Sequence, residues 1–150
     1  MLTIRPLSLI PAVALAFACA FSAPAFAHDG VHILDAYARF IPGARAGGAF
    51  MVIENHAVED ERLLSVQADI AGMAEVHRTE QKADGTMGMA PVEGGLAIAP
   101  GTSVELKPGG DHIMMMDLKR RPKEGDIIHL TLEFSHAGKV ELDVPVQNRR

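Results

Sequence analysis

Cysteine is almost absent from this sequence, which has one Cys, at position 19, among its 150 residues. Disulfides, which commonly stabilise small exported domains, therefore cannot hold this fold together. A cysteine nucleophile is excluded from the rest of the chain, and no Gly-x-Ser-x-Gly turn offers a serine in its place. The fold must depend on hydrophobic packing, for which the length suffices in a single domain.

Aromatic residues and positive charge are also scarce. The chain has no Trp and one Tyr, and its formal net charge is −5. A nucleic-acid partner would require a basic surface that releases counterions, and bases or sugars would require aromatic platforms for stacking. The composition therefore predicts that the protein does not bind nucleic acid.

Only one long apolar run is present, from Leu7 to Phe21, and Pro11 interrupts it. Arg5 precedes this run and small residues follow it up to Ala27, which is the pattern of a secretory signal peptide. The run is too short for a membrane span. We therefore predict that residues 1–27 are a signal peptide cleaved after Ala27.

Export to the periplasm follows from this leader, and residues 28–150 form the predicted mature domain, without stable membrane insertion. Cys19 would be the acylated residue of a lipoprotein, but the bulky Phe17 precedes it where small residues are preferred. The sequence therefore favours simple cleavage over lipidation at Cys19. Residues 28–32 are predicted to form a mobile N-terminal arm.

Helical periodicity is missing as well, because no stretch of a dozen residues carries an apolar stripe with a period of 3.6. Instead, Gly- and Pro-rich turn signals separate short runs in which apolar and polar residues alternate. This pattern predicts an all-β protein with one antiparallel β-sandwich or barrel domain. The predicted strands are 34–41, 49–55, 62–68, 74–79, 96–98, 103–106, 112–118, 126–134 and 139–146.

Methionine and histidine are concentrated in the segment GGDHIMMMDL, residues 109–118. In a strand, side chains alternate between the two faces, so His112, Met114 and Met116 share one face while Ile113 and Met115 share the other. The segment is thus predicted to have a packing face and a separate His/Met face.

A second group of the same chemistry lies earlier in the chain. His77 ends one predicted strand, and Met87 and Met89 follow an Asp-Gly turn, so a hairpin would bring His77 close to one of the two methionines. Imidazole and thioether ligands together suit Cu(I) better than zinc, calcium or magnesium. Methionine also commonly fills gaps in cores, as we expect for Met51 and Met73, and spacing alone leaves both interpretations open.

The stretch from His77 through Met89 to KPGGDHIM resembles the signature of the periplasmic copper(I) chaperones of the PCuAC family. YARFIPGARAGGAFMVIENH resembles the opening strands of that family, so the similarity covers nearly all of residues 28–150. Two features differ from the family pattern: Arg78 stands where Met often follows the first His, and the spacing between Met89 and His112 is one residue longer.

The resemblance implies a cupredoxin-like β-sandwich that binds Cu(I) through His77, Met89, His112 and Met114, with Met87 and Met116 as alternative ligands. It further implies a metallochaperone, not an enzyme, that transfers copper to the CuA site of cytochrome c oxidase or to an assembly factor. We also expect the protein to be a monomer. Cu(II) is an additional species that such a protein could bind.

Two other functions are compatible with the residues. The α-amino group and imidazole of His28, together with another histidine such as His32, could hold Cu(II) in a redox enzyme. Alternatively, the protein is an exported interaction domain without a metal, in which the methionines only pack. Asp111 is predicted to end the Gly-Gly turn, with a role as hydrogen-bond acceptor for His112 as the alternative.

Overall fold

The computed structural model describes residues 26–28 and 30–149, and these residues are all-β, with no α-helix among them. The antiparallel fold predicted from the alternating pattern is therefore confirmed. Of the predicted signal peptide, residues 1–25 lie outside the described part of the chain. Within the described residues, no helix is long and apolar enough to cross a membrane.

Eleven strands follow one another along the chain. They are β1 (Phe26–His28), β2 (Val31–Phe40), β3 (Gly47–Asn55), β4 (Glu61–Ala68), β5 (Ala71–Gln81), β6 (Met87–Pro91), β7 (Leu96–Ile98), β8 (Ser103–Leu106), β9 (His112–Leu118), β10 (Ile127–Phe134) and β11 (Gly138–Pro145). The predicted mobile arm is wrong in part, because Val31 and His32 belong to β2.

The strands form two sheets. The larger sheet has the order β1-β2-β3-β9-β5-β6, and β8 also pairs with β3; the smaller sheet has the order β11-β10-β4-β7. Strands from both sheets contribute to one continuous hydrophobic core, in which Ile113 and Met115 of β9 have no exposed surface. The core face predicted for β9 is confirmed.

A β-bulge divides strand β2. Asp35 adopts a left-handed backbone conformation (φ 53°), and the pairing of β2 with β3 shifts between Leu34 and Tyr37. Because an extra residue reverses the alternation of side chains, Ile33 faces the core before the bulge and Ala38 faces it afterwards. Strand β2 therefore packs against the core on both sides of the bulge, although apolar and polar residues do not alternate regularly along it.

A buried carboxylate links strand β4 to the turn between β10 and β11 in the smaller sheet. Glu61, only 3% exposed at the start of β4, accepts hydrogen bonds from the Ser135 hydroxyl and from the backbone N–H groups of Arg62, His136 and Ala137. Burial by itself would raise the pKa of Glu61, but these donors outweigh it and lower the pKa to about 2. The carboxylate therefore remains ionised and holds the β10–β11 turn against β4.

Candidate metal centre

The predicted site residues lie on three adjacent strands of the larger sheet, β6, β5 and β9. In the pairing of β5 with β9, His77 lies directly opposite His112 and Glu75 opposite Met114. Directly opposed residues share a face of the sheet, and the rings of the two histidines are 6.4 Å apart between centroids. This face is the outer one, because the alternate residues Val76 and Ile113 point into the core.

Strand β6 adds the methionines on the other side of β5. The predicted hairpin is present, and Met89 pairs with Thr79 while Met87 pairs with Gln81. Each residue advances a strand by about 3.3 Å, so Met87 lies about 7 Å farther along β5 from His77 than Met89 does. The structure thus brings His77, Met89, His112 and Met114 together on one face, and we refer to these four residues as the His/Met centre.

The methionines differ in their burial and in their distance from the two histidines. Met116 lies farther along β9, opposite Met73 of β5, and so away from the two histidines. Met73 is 47% exposed, so its predicted place in the core is wrong, whereas Met51 is buried as expected. Met87 and Met89 are 65% and 59% exposed. Their thioethers are accessible at the surface instead of filling the core.

The ring of His112 is held through one of its two nitrogens. Its Nδ1 lies 3.0 Å from the carbonyl oxygen of Gly110, so Nδ1–H donates to that oxygen. Thr79 Oγ1 donates to the same oxygen over 3.1 Å. A histidine that donates from one nitrogen to a carbonyl offers the lone pair of the other nitrogen as a metal ligand. Nε2 of His112 is therefore the atom available for coordination.

His77 carries an unpaired polar atom. Its residue surface is only 8% exposed, its Nε2 lies 3.4 Å from Glu75 Oε2, and its Nδ1 is buried without a hydrogen-bond partner. An unsatisfied buried polar group costs about 1–3 kcal/mol. A metal ion bound at Nδ1 would remove this cost, so the residues present fit a metal centre.

Arg78 and Asp111 stabilise the turn before His112. Nε and Nη2 of Arg78 donate to both carboxylate oxygens of Asp111 at 2.9–3.3 Å. The ion pair raises the pKa of Arg78, mainly through its hydrogen bonding to Asp111. His112 donates to Gly110 and not to Asp111, so Asp111 ends the turn as predicted. Its carboxylate is paired with Arg78 of β5 and not with the histidine.

A cavity of about 690 Å³ opens beside the centre. Its wall includes Met89, His112 and Met114 together with the apolar side chains of Phe40 and Phe50. The Phe50 ring lies 6.1 Å from that of His112. The centre therefore borders an apolar recess on the surface into which part of another molecule could fit.

One further cluster was missed by the sequence analysis. His32, Glu54 and His56 each offer a ligand atom, and these atoms lie within 4.8 Å of one another. The sequence offers no signal for their proximity, because it depends on the register between β2 and β3. The alternative partner of His32, His28, pairs through its backbone with Val31, and nothing is described of its side chain.

The fold defines the class of protein. The copper-bound PCuAC domain from PmoF2 superposes with a TM-score of 0.70 at 23% identity, over 83% of this chain and 98% of that domain. The solution structure of CuI-DR1885 from Deinococcus radiodurans has a TM-score of 0.61 at 25% identity, over 88% of this chain and 84% of its own. The predicted cupredoxin-like β fold is thus confirmed, and the resemblance to PCuAC domains is supported.

The family model described as "Putative lipoprotein LpqE-like" matches residues 31–146 of this chain. The chain therefore belongs to the LpqE-like family. "Putative lipoprotein Lxx21020" of Leifsonia xyli subsp. xyli is 30% identical over 136 residues, which make up 87% of this chain and 81% of that protein. These relatives are named as copper-bound proteins of this fold and as putative lipoproteins, which is consistent with the prediction that the protein is not an enzyme.

Proposed function

We propose that the protein is an exported copper carrier that binds one Cu(I) ion through His77, Met89, His112 and Met114. The observation that carries this proposal is the buried, unpaired Nδ1 of His77, on the same sheet face as a second histidine and two methionines. CuI-DR1885 and the copper-bound PCuAC domain from PmoF2 have this fold, and the metal that their names give supports copper as the ligand here.

The donor set accounts for the choice of Cu(I). Two neutral imidazoles and two neutral thioethers add no negative charge, so the set suits a soft monovalent ion. Because the mature domain has no cysteine, oxidation to a disulfide cannot remove a ligand from the site. A Met/His set is therefore suited to holding Cu(I) in an oxidising compartment.

Transfer to a partner requires ligands that can exchange one at a time. Met89 is 59% exposed and thioethers are weak ligands, so an incoming donor could replace this residue first. The apolar recess beside His112 would receive the partner. We propose the CuA-bearing subunit of cytochrome c oxidase, or an assembly factor for it, as the acceptor, and a monomer as the carrier.

Export is supported by the family, whose members are named as lipoproteins. We propose periplasmic localisation after cleavage behind Ala27, which would leave only His28 of strand β1 in the mature protein. Acylation at Cys19 is the alternative that the family name favours. The two processing routes predict different N-termini, His28 and Cys19 respectively.

An anaerobic Cu(I) titration of protein purified from the periplasmic fraction, in competition with a coloured chelator, tests this function. We expect one equivalent to be withheld from the chelator, with sulfur and nitrogen scattering at the copper edge in X-ray absorption. The intact mass of the same sample shows where the chain begins. Failure to compete with the chelator would favour the interaction domain without a metal.

The two exposed methionines are expected to differ in their effect on copper binding. Met89→Leu should weaken Cu(I) binding by about tenfold or more, equivalent to about 1.4 kcal/mol, whereas Met87→Leu should change it little because Met87 lies farther from His77. Both substitutions keep an apolar side chain at an exposed position, so each serves as the control for the other. The same chelator competition measures both, and an equal loss would assign the ligand role to both residues.

A further inference from the structure

His32, Glu54 and His56 form a second candidate site, which we call the His32 cluster. His32 of β2 lies directly opposite Glu54 of β3, so these two residues share one face. His56 lies just beyond the end of β3, and its ring contacts that of His32 on the same face. The alternate residues Ile33 and Ile53 are buried in the core. The cluster is therefore on the outer face of the larger sheet.

The side chains of this cluster already approach one another. The ring centroids of His32 and His56 are 4.5 Å apart, and Nε2 of His56 lies 2.8 Å from Glu54 Oε2. Two ligands that each lie about 2.1 Å from an ion are at most about 4.2 Å apart. Since the three ligand atoms lie within 4.8 Å of one another, side-chain shifts of less than about 1 Å would close the site.

The backbone that carries His56 is fixed by neighbouring residues. Its N–H donates to the carbonyl oxygen of Gly30 over 2.6 Å. The adjacent Asn55 is 1% exposed; its Nδ2 donates to the carbonyls of Glu59 and Ile98, and its Oδ1 accepts from Ala57 N–H. A loop held by these bonds keeps the histidine in place, which is what a preorganised ligand requires.

We propose that His32, Glu54 and His56 bind a divalent transition-metal ion, with Cu(II) the preferred one. Two imidazole nitrogens and one carboxylate oxygen suit borderline divalent ions, and Cu(II) binds most tightly among those of the first row. This donor set contains no sulfur and carries one negative charge, in contrast to the His/Met centre. The two sites therefore select different oxidation states, and this proposal does not rest on the copper-carrier function.

Copper(II) sulfate titrated under air into the protein purified from the periplasmic fraction, followed by electron paramagnetic resonance, tests the site. We expect a Cu(II) signal with nitrogen hyperfine splitting that persists in a His112→Ala/Met114→Ala protein. His32→Gln/His56→Gln should weaken Cu(II) binding by about a hundredfold, equivalent to about 2.7 kcal/mol. Glu54→Gln, which keeps the shape of the side chain, should weaken it by a smaller factor.

His129→Gln is the matched control. His129 is also exposed and pairs with a carboxylate, that of Asp143, but it belongs to no such three-ligand group within the described residues. Replacing His129 should leave the Cu(II) signal unchanged.

Retention of the signal in His32→Gln/His56→Gln would overturn the proposal. Loss of the signal in His28→Gln alone would also overturn it, because that result would place Cu(II) at the N-terminus. Loss in His112→Ala/Met114→Ala would instead assign Cu(II) to the His/Met centre and would also overturn it.

Discussion

Replacing His112 and Met114 together with alanine is expected to weaken Cu(I) binding by about a thousandfold or more. The double change removes one nitrogen and one sulfur ligand from adjacent alternate positions of β9, and each factor of ten corresponds to about 1.4 kcal/mol. Both residues are only partly buried and lie on the face of β9 opposite Ile113 and Met115, so the core is unchanged. Anaerobic competition with a Cu(I) chelator measures the affinity.

Met116→Ala is the control for this experiment. Met116 lies on the same strand and the same face but pairs with Met73, away from both histidines, so its loss should leave the affinity within about a factor of three. Urea unfolding of both metal-free variants shows whether the fold survives. Unchanged copper affinity in a folded His112→Ala/Met114→Ala protein would contradict the proposed site and favour methionine packing alone.

Glu61→Gln is expected to destabilise the fold by about 3 kcal/mol at pH 7. The carboxylate has a pKa of about 2 in the folded protein against 4.5 ordinarily, and each unit of pKa corresponds to about 1.36 kcal/mol. Because the folded-state pKa is lowered, the stabilisation is fully present above pH 4.5 and is lost as the pH falls toward 2. The glutamine amide would also place its own N–H donor beside the Ser135 hydroxyl and the backbone N–H groups that donate to Glu61 in the natural protein.

Urea unfolding at pH 7, 5 and 3 measures this effect. The difference in free energy of unfolding between the natural protein and Glu61→Gln should be largest at pH 7 and should shrink between pH 5 and pH 3. Glu141→Gln, at an exposed position of β11, is the matched control and should change stability by less than about 0.5 kcal/mol. A difference for Glu61→Gln that is independent of pH would show that the charge does not contribute.

Most strands could be predicted because their side chains alternate between a core and a solvent face. Strands β7, β8 and β9 have the predicted limits, and β4, β10 and β11 begin or end within one residue of them. Strand β6 was not predicted as a strand because MGMAP contains Gly and Pro and no β-branched residue. Strand β2 begins earlier than predicted because the bulge at Asp35 reverses its pattern.

The candidate site was predictable in its residue types but not in its geometry. Spacing within GGDHIMMMDL places His112 and Met114 on one face, since both belong to the same strand. Only the register between β5 and β9 places His77 opposite His112, and register depends on long-range pairing. For the same reason His56 could not be assigned to the His32 cluster from the sequence.

Strand β3 is a spacer of fixed length between the two candidate metal sites. Phe50, whose ring faces that of His112, and Glu54 of the His32 cluster are four positions apart on it, which corresponds to about 13 Å. Hydrogen bonds to β2 on one side and to β8 and β9 on the other prevent the strand from shortening. The two candidate sites are therefore too far apart to share ligands around one ion, so each would have to be filled separately.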